Sequence, residues 1–317
     1  MAELAIIIGN GFDMNLGLPS GYSQFVESCE WKELEESLRC FPQSYKGHSL
    51  IYHLLKSASN KEHWFDIEEE ILNFIQDHPE CTEREIREIE SEFKRLKKAL
   101  KEYLIRVSSG YKMAETKLPY VFMKKLATCP KKMVEINFNY TNPQDFLPNP
   151  IFYHQDSYDQ IHVHGNLSEE EIVLGCDIQN DQKVNRNLSF MYKYNMLNRA
   201  NHVARNLLEA KEIIFYGHSV NEMDFGYFRE FFKAASAAPK PIRYLTFITL
   251  NEKSERSIKD NIRNQGISVT DLYNNLESFT FIHTEKLYKQ DAKEVQKWDD
   301  MFKRISTKDV LGVKRRN

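Results

Sequence analysis

Four short apolar runs in this chain each stop at glycine, asparagine or histidine, and that arrangement constrains the fold more than any other feature. Ile6-Ile7-Ile8 leads into Gly9-Asn10-Gly11-Phe12-Asp13, and Met133-Val134-Glu135-Ile136 leads into Asn137-Phe138-Asn139-Tyr140-Thr141. Gln160-Ile161 leads into His162-Val163-His164-Gly165, and Ile213-Ile214-Phe215-Tyr216 into Gly217-His218-Ser219. A continuous apolar run suits a strand buried on both faces of a parallel sheet. Residues that follow such a strand lie at the carboxyl edge of the sheet, where open α/β folds bind their ligands. The chain therefore reads as α/β, with a nucleotide-type pocket assembled from four strand ends.

The first run begins at Leu4, and similar runs at Ile172 to Leu174, Tyr244 to Leu250 and Phe279 to Ile282 are read as strands. Helical patterns over Met196 to Leu208, Asn221 to Ala235, Glu252 to Gln265 and Asp291 to Ile305 alternate with the later strands. That alternation predicts a Rossmann-like, doubly wound, mostly parallel sheet with right-handed crossovers. More than a hundred helix-prone, charged residues separate the first two sheet strands. They predict a helical insertion over residues 31–130, with the sheet core formed by residues 1–30 and 131–317. The clearest insertion helix starts at Thr82, with Glu85 placed to complete a capping box. Its Ile86, Ile89, Phe93, Leu96, Leu100, Tyr103 and Val107 recur at spacings of three and four. Such a seam serves either a helical hairpin within the chain or a homo-oligomer interface.

A formal net charge of −3 and 41% hydrophobic residues describe a folded protein and argue against a dominant nucleic-acid surface, although Lys314-Arg315-Arg316 makes a small basic tail. Cys29, Cys40, Cys81, Cys129 and Cys176 are widely spaced and odd in number, which argues against a disulfide framework and a cysteine zinc site. A cytoplasmic location is expected. No signal-peptide pattern opens the sequence, and no run approaches the roughly 18 apolar residues of a membrane span.

Each strand end carries its own chemistry. Gly9 and Gly11 allow the backbone to approach a ligand, and the successive N–H groups of the Gly9 to Phe12 turn suit a phosphate oxygen. Asp13 reads either as a ribose-hydroxyl acceptor or as a helix cap. Asn137 and Asn139 share one strand face; their amides suit a sugar hydroxyl or an attacking water, with an Asx turn as the structural alternative. His162 and His164 share a face by the same period, and His164 is the candidate base because imidazole titrates near neutrality. The two histidines, with His154 or Asp156, form an alternative metal set. After Gly217 and His218, Ser219 is placed to cap a helix with Glu222, and Asp224 falls in its first turn, where an acid favours the helix dipole.

These segments together resemble a known family. IIIGNGFDMNLGLPSGYSQF from Ile6, INFNYTN from Ile136, IHVHGNL from Ile161, LGCD from Leu174 and FYGHSVNEMDFGYF from Phe215 are similar to the AbiH family of bacterial phage abortive-infection proteins. The order of glycine turn, asparagine strand end and histidine-glycine strand end also resembles, more distantly, the Sir2 fold. The resemblance implies an NAD-binding core in which Gly9 and Gly11 line a phosphate pocket, Asn139 contacts the nicotinamide ribose and His164 is catalytic. Asn10, Phe12, Asp13, Asn137, Thr141, Gly217, His218, Ser219 and Asp224 complete the expected nucleotide site. Sirtuins carry an acid at the position of Thr141 and a four-cysteine zinc module, neither of which is present in this sequence. Protein deacylation is therefore not expected, and hydrolysis of NAD to nicotinamide and ADP-ribose is.

NAD enters as substrate, no metal is expected, and the phage trigger is left open. The insertion is expected to cover the pocket, with Trp64-Phe65-Asp66-Ile67-Glu68 offering an aromatic wall and a carboxylate or, at helical spacing, plain core. Two other functions fit the same residues: a non-catalytic sensor of NAD or ADP-ribose, and a metal-dependent hydrolase or nuclease.

Overall fold

The isoleucine run forms the middle of a six-stranded, all-parallel sheet in the computed structural model, which describes residues 2–38, 43–60, 66–149, 158–169, 172–177, 185–193, 200–237 and 243–307. The strands are β1 (Leu4–Ile8), β2 (Met133–Asn137), β3 (Tyr158–His162), β4 (Glu212–Tyr216), β5 (Tyr244–Thr249) and β6 (Ser278–His283). Their order is β3-β2-β1-β4-β5-β6. The sequence thus winds outward from β1 in both directions, and the reversal between β1 and β4 opens a crevice at their carboxyl ends. Register aligns the four rims: Ile8 pairs with Asn137 and with Tyr216, and Asn137 pairs with His162. The segments that follow β1 to β4 consequently all start from one level.

Alternate residues of the same strands feed two cores, as the unbroken apolar runs require. Ala5, Ile7, Val134, Ile136, Ile213, Phe215 and Phe247 pack with Phe225, Phe228, Phe231 and Phe232 of the helix Glu222–Ser236. Leu4, Ile6, Ile8, Met133, Ile214 and Tyr216 face Phe12, Leu16, Phe122, Trp298 and Phe302 on the other side. The expected helices stand at Ala200–Glu209, Glu222–Ser236, Glu252–Asn264 and Ala292–Ser306, while Val269–Asn275 and Thr284–Tyr288 add two short ones. The start of the first expected helix, at Met196, lies outside the described residues.

Ile172 to Leu174 is not a strand. Ile172 and Leu174 join the core of the helical region, and the Val173 N–H bonds the His164 carbonyl at 2.9 Å. Three apolar residues satisfy a buried brace as well as a strand, so burial without ladder pairing is the physical reason for the difference.

Helices alone occupy the described chain between β1 and β2. The longest, Glu83–Ser108, starts at a complete Thr82–Glu85 capping box, a feature worth about 1 kcal/mol. Its seam residues Ile89, Phe93, Leu96, Leu100 and Tyr103 pack on Trp31, Leu34, Leu54, Ile71 and Phe74 of the same chain, and Ile86 and Val107 are half-buried. The seam is therefore filled intramolecularly. None of the described helices is long and apolar enough to cross a membrane.

Candidate functional site

The four strand ends meet around one cavity of about 200 Å³, to which residues of the helical region also contribute. Gly9, Asn10 and Asp13 come from the β1 turn, Phe138 to Thr141 from the β2 end, His164 from the β3 end, and Gly217 to Ser219 with Asn221 and Asp224 from β4 and the helix after it. Ser20, Tyr22, Asp66, Glu68 and Leu104 form the other wall.

Two expected ligand residues are structural instead. Asn137 is fully buried; its Nδ2 donates to the Thr141 carbonyl at 2.9 Å and its Oδ1 accepts from the Asn139 N–H at 2.8 Å. Both ends of the amide thus shape the loop that presents Asn139, the Asx-turn alternative. Phe12 lies in the core, edge-on to Tyr216 at 4.9 Å between ring centroids. Both glycine N–H groups of the expected phosphate cradle, and that of Phe12 after it, are also already engaged. Gly9 N–H bonds the Tyr216 carbonyl at 3.0 Å, Gly11 N–H the Gly217 carbonyl at 2.8 Å, and Phe12 N–H the Gly9 carbonyl at 2.8 Å. The glycines serve close approach between turns, since a Cβ on Gly11 would lie 2.7 Å from Gly217 Cα.

Asn139 spends its amide nitrogen on the Gly9 carbonyl at 3.2 Å, which leaves its oxygen as the group to present to a ligand. Asp13 neither caps a helix nor faces solvent. Its Oδ2 accepts from Thr141 Oγ1 at 2.5 Å, while Oδ1 is buried without a partner. The neighbouring strand end thus places a carboxylate against Thr141. Burial pushes the Asp13 carboxyl up to about 7 against the bonds from Thr141 and Asn139. Because this folded value exceeds the unfolded one near 3.9, its contribution to stability is present below pH 4 and is lost as pH rises through 7. Asp13→Asn is expected to remove that loss, so urea midpoints at pH 5 and pH 8 should differ less than in the parent; an unchanged difference would contradict the assignment.

The chain turns after His162, with Gly165 at φ +74°, so the period that paired the two histidines ends there. His164 enters the cavity, whereas His162 is not among the lining residues. Phe138 packs edge-on to the His164 ring, 5.4 Å between centroids. His164 Nε2 lies 3.2 Å from Asp224 Oδ1, and His218 Nε2 lies 3.7 Å from Asp224 Oδ2. His218 Nδ1 accepts from the Val220 N–H at 2.9 Å, which places the ring proton on Nε2, facing Asp224. Val220 itself sits at φ +52°, a strained setting for a β-branched residue and one typical of functional turns. Burial brings His218 down to about 4 and, with Lys193 adding repulsion, lowers His164 as well. Both imidazoles are therefore neutral at pH 7, the state a base requires.

Lys193 carries no sequence motif yet completes the centre. A parallel bridge between Cys176 and Tyr192 holds its backbone, and the Lys193 N–H bonds the Cys176 carbonyl at 3.0 Å. Its Nζ lies 2.8 Å from Glu68 Oε2 and 2.9 Å from Asp224 Oδ1, all three groups being buried. Burial alone would raise Asp224, but Lys193 and the two histidines hold it well below the usual carboxylate range. Asp224 is thus the hub of the centre as well as an acid near a helix N-terminus. The cap of that helix is Asn221, which accepts from the Asp224 N–H at 3.1 Å, in place of Ser219.

Asp66 and Glu68 line the cavity as carboxylates, while Ile67 between them is core. Trp64 and Phe65 lie outside the described residues, as do His154, Asp156 and the basic stretch at 314–316. Among the described residues, no three or more His, Cys, Asp or Glu are grouped to hold a metal ion.

A family model described as "Bacteriophage abortive infection AbiH" matches residues 5–244, a span that contains every cavity-lining residue. No curated protein matches the chain.

Proposed function

Since the chain belongs to the AbiH family of bacteriophage abortive-infection proteins, which implies a role in phage defence, we propose that it is an NAD+ hydrolase that releases nicotinamide and ADP-ribose. The observation that carries this reading is the convergence of Asn139, His164, Gly9 and Gly217 on one cavity at the switch point of a doubly wound sheet. Among the described residues no lysine or arginine lines that cavity, so its chemistry suits the nicotinamide-ribose end and leaves the phosphates to project away.

In the reaction the bond from ribose C1′ to the nicotinamide nitrogen breaks, its electron pair leaving with neutral nicotinamide. Positive charge gathers on the ribose as an oxocarbenium-like centre. Asn139 orients a water through its amide oxygen, the water oxygen adds at C1′, and His164 accepts the released proton before passing it to solvent. Asp13, ionising near pH 7 beside Thr141, accepts from a ribose hydroxyl and stabilises the developing charge.

Purified protein incubated with NAD+ is expected to yield nicotinamide and ADP-ribose in equal amounts. His164→Ala and Asn139→Ala should each lower the rate by about 10² to 10⁴-fold. Saturable NAD+ binding without turnover would select the sensor, and turnover undiminished in both variants would rule out this mechanism.

A further inference from the structure

The reading of the cavity as an NAD+ site leaves the acid in its lining unexplained. Asp13, Asp66, Glu68 and Asp224 all line the cavity, whose described lining contains no lysine or arginine. The buried cation behind it, Lys193, is shared between Glu68 at 2.8 Å and Asp224 at 2.9 Å. One cation serves two carboxylates, so the group is balanced only while Glu68 keeps its proton, and the neutral imidazoles of His164 and His218 supply no further positive charge. Glu68 is 5% exposed, and its second oxygen, Oε1, is buried without a hydrogen-bond partner. Buried polar atoms are seldom left so, and a ligand is one way to satisfy them. Beside these acids stand two aromatic rings, Tyr22 and Tyr140, with Leu104. Carboxylates and aromatic faces around one space are the elements of a site for a flat organic cation.

We propose that the wall formed by Tyr22, Tyr140, Asp66 and Glu68 is a receptor for a planar cation, so that the cavity selects the N-ribosylpyridinium of NAD+ and disfavours the neutral ring of NADH. The inference rests on the NAD+ reading and adds to it the charge state of the substrate. It also gives a direction to the reaction: once the C1′–N bond breaks, the departing nicotinamide is neutral and the receptor holds it weakly. Burial keeps the Glu68 carboxyl above its ordinary range despite Lys193, while Asp66 and Asp224 face it with like charge. A bound cation therefore favours ionisation of Glu68, and the proton lost should appear in solution.

The test titrates NADH and ADP-ribose into the parent protein, and NAD+, NADH and ADP-ribose into Asn139→Ala protein, whose turnover is slowed about a hundredfold or more, calorimetrically in two buffers of different ionisation enthalpy. NAD+ is expected to bind about tenfold tighter than NADH and to release protons that NADH does not. Glu68→Gln keeps an oxygen for Lys193, and Asp66→Asn keeps a side-chain acceptor for the Glu68 N–H that it caps at 2.9 Å. Either change should narrow the NAD+ to NADH ratio while leaving ADP-ribose affinity in place. Equal affinity for the two dinucleotides, or a ratio unmoved in both variants, overturns the receptor and leaves the NAD+ reading standing. Binding of none of the three ligands overturns the NAD+ reading and the receptor with it.

Discussion

Lys193→Met is expected to destabilise the protein by about 3–5 kcal/mol at pH 7.5, measured as the shift in urea unfolding. The substitution keeps much of the side-chain volume and removes the charge that sits between Glu68 and Asp224. Asp224, buried and ionised, is then left without its cation, and the buried Glu68 loses its hydrogen-bond donor. The sign of the pH dependence is fixed by Asp224, whose folded pKa is depressed below its unfolded one. Its contribution is present above pH 4 and is lost as pH falls, so the deficit of the variant should shrink toward acid. Adding Asp224→Asn to Lys193→Met removes the stranded charge and should recover part of the loss, a coupling between residues in one network. His164 should titrate at a higher pH in the variant, since the lysine is one cause that holds it down. A loss below about 1 kcal/mol that does not vary with pH would show that the lysine is not the keystone of this centre.

That lysine also marks the limit of what the sequence discloses. β1 and β4 are legible to within a residue or so, because Leu4 to Ile8 and Ile213 to Tyr216 are continuous apolar runs closed by glycine. The Thr82–Glu85 cap is local chemistry and is equally legible. Strand ends in one parallel sheet must share a rim, so ten of the expected site residues, among them Asp13, Asn139, His164 and Asp224, do line one cavity. What escaped depends on distant partners. Nothing around Lys193 announces that it meets Glu68, 125 positions away in sequence. Tyr22 and Leu104 look like core on their own helices. Asp224 has a sufficient local explanation in the helix dipole, which hides its contacts with Lys193, His164 and His218. Asn137 and Asn139 differ by two positions and carry identical side chains; local bonds to Asn139 and Thr141 make the first a brace, and a tertiary bond to the Gly9 carbonyl sets the second as a cavity group.

Gly217→Ala should be more damaging than its size suggests, with a loss of stability at or beyond the 4–5 kcal/mol that single substitutions rarely reach. Gly217 lies at φ +70°, and a Cβ built there would stand 2.2 Å from Phe12 N and 2.4 Å from Gly11 C. These obstacles are backbone atoms and have no rotamer to yield. The two turns are locked reciprocally, because a Cβ on Gly9 would lie 2.7 Å from His218 Cα and the Gly11 N–H already bonds the Gly217 carbonyl. Separating them to admit a methyl group would carry His218 and Asp224 away from Asn139, so ligand binding should fall together with stability. Gly110 supplies the control, since it has the same φ of +70° with nothing within 4 Å of its would-be Cβ. Gly110→Ala is expected to cost about 1–2 kcal/mol, the left-handed backbone penalty alone. The difference between the two substitutions therefore isolates the interlock of the β1 and β4 turns from the conformational preference of glycine. Equal losses would mean that the turns are free to part, and that the cavity does not depend on their contact.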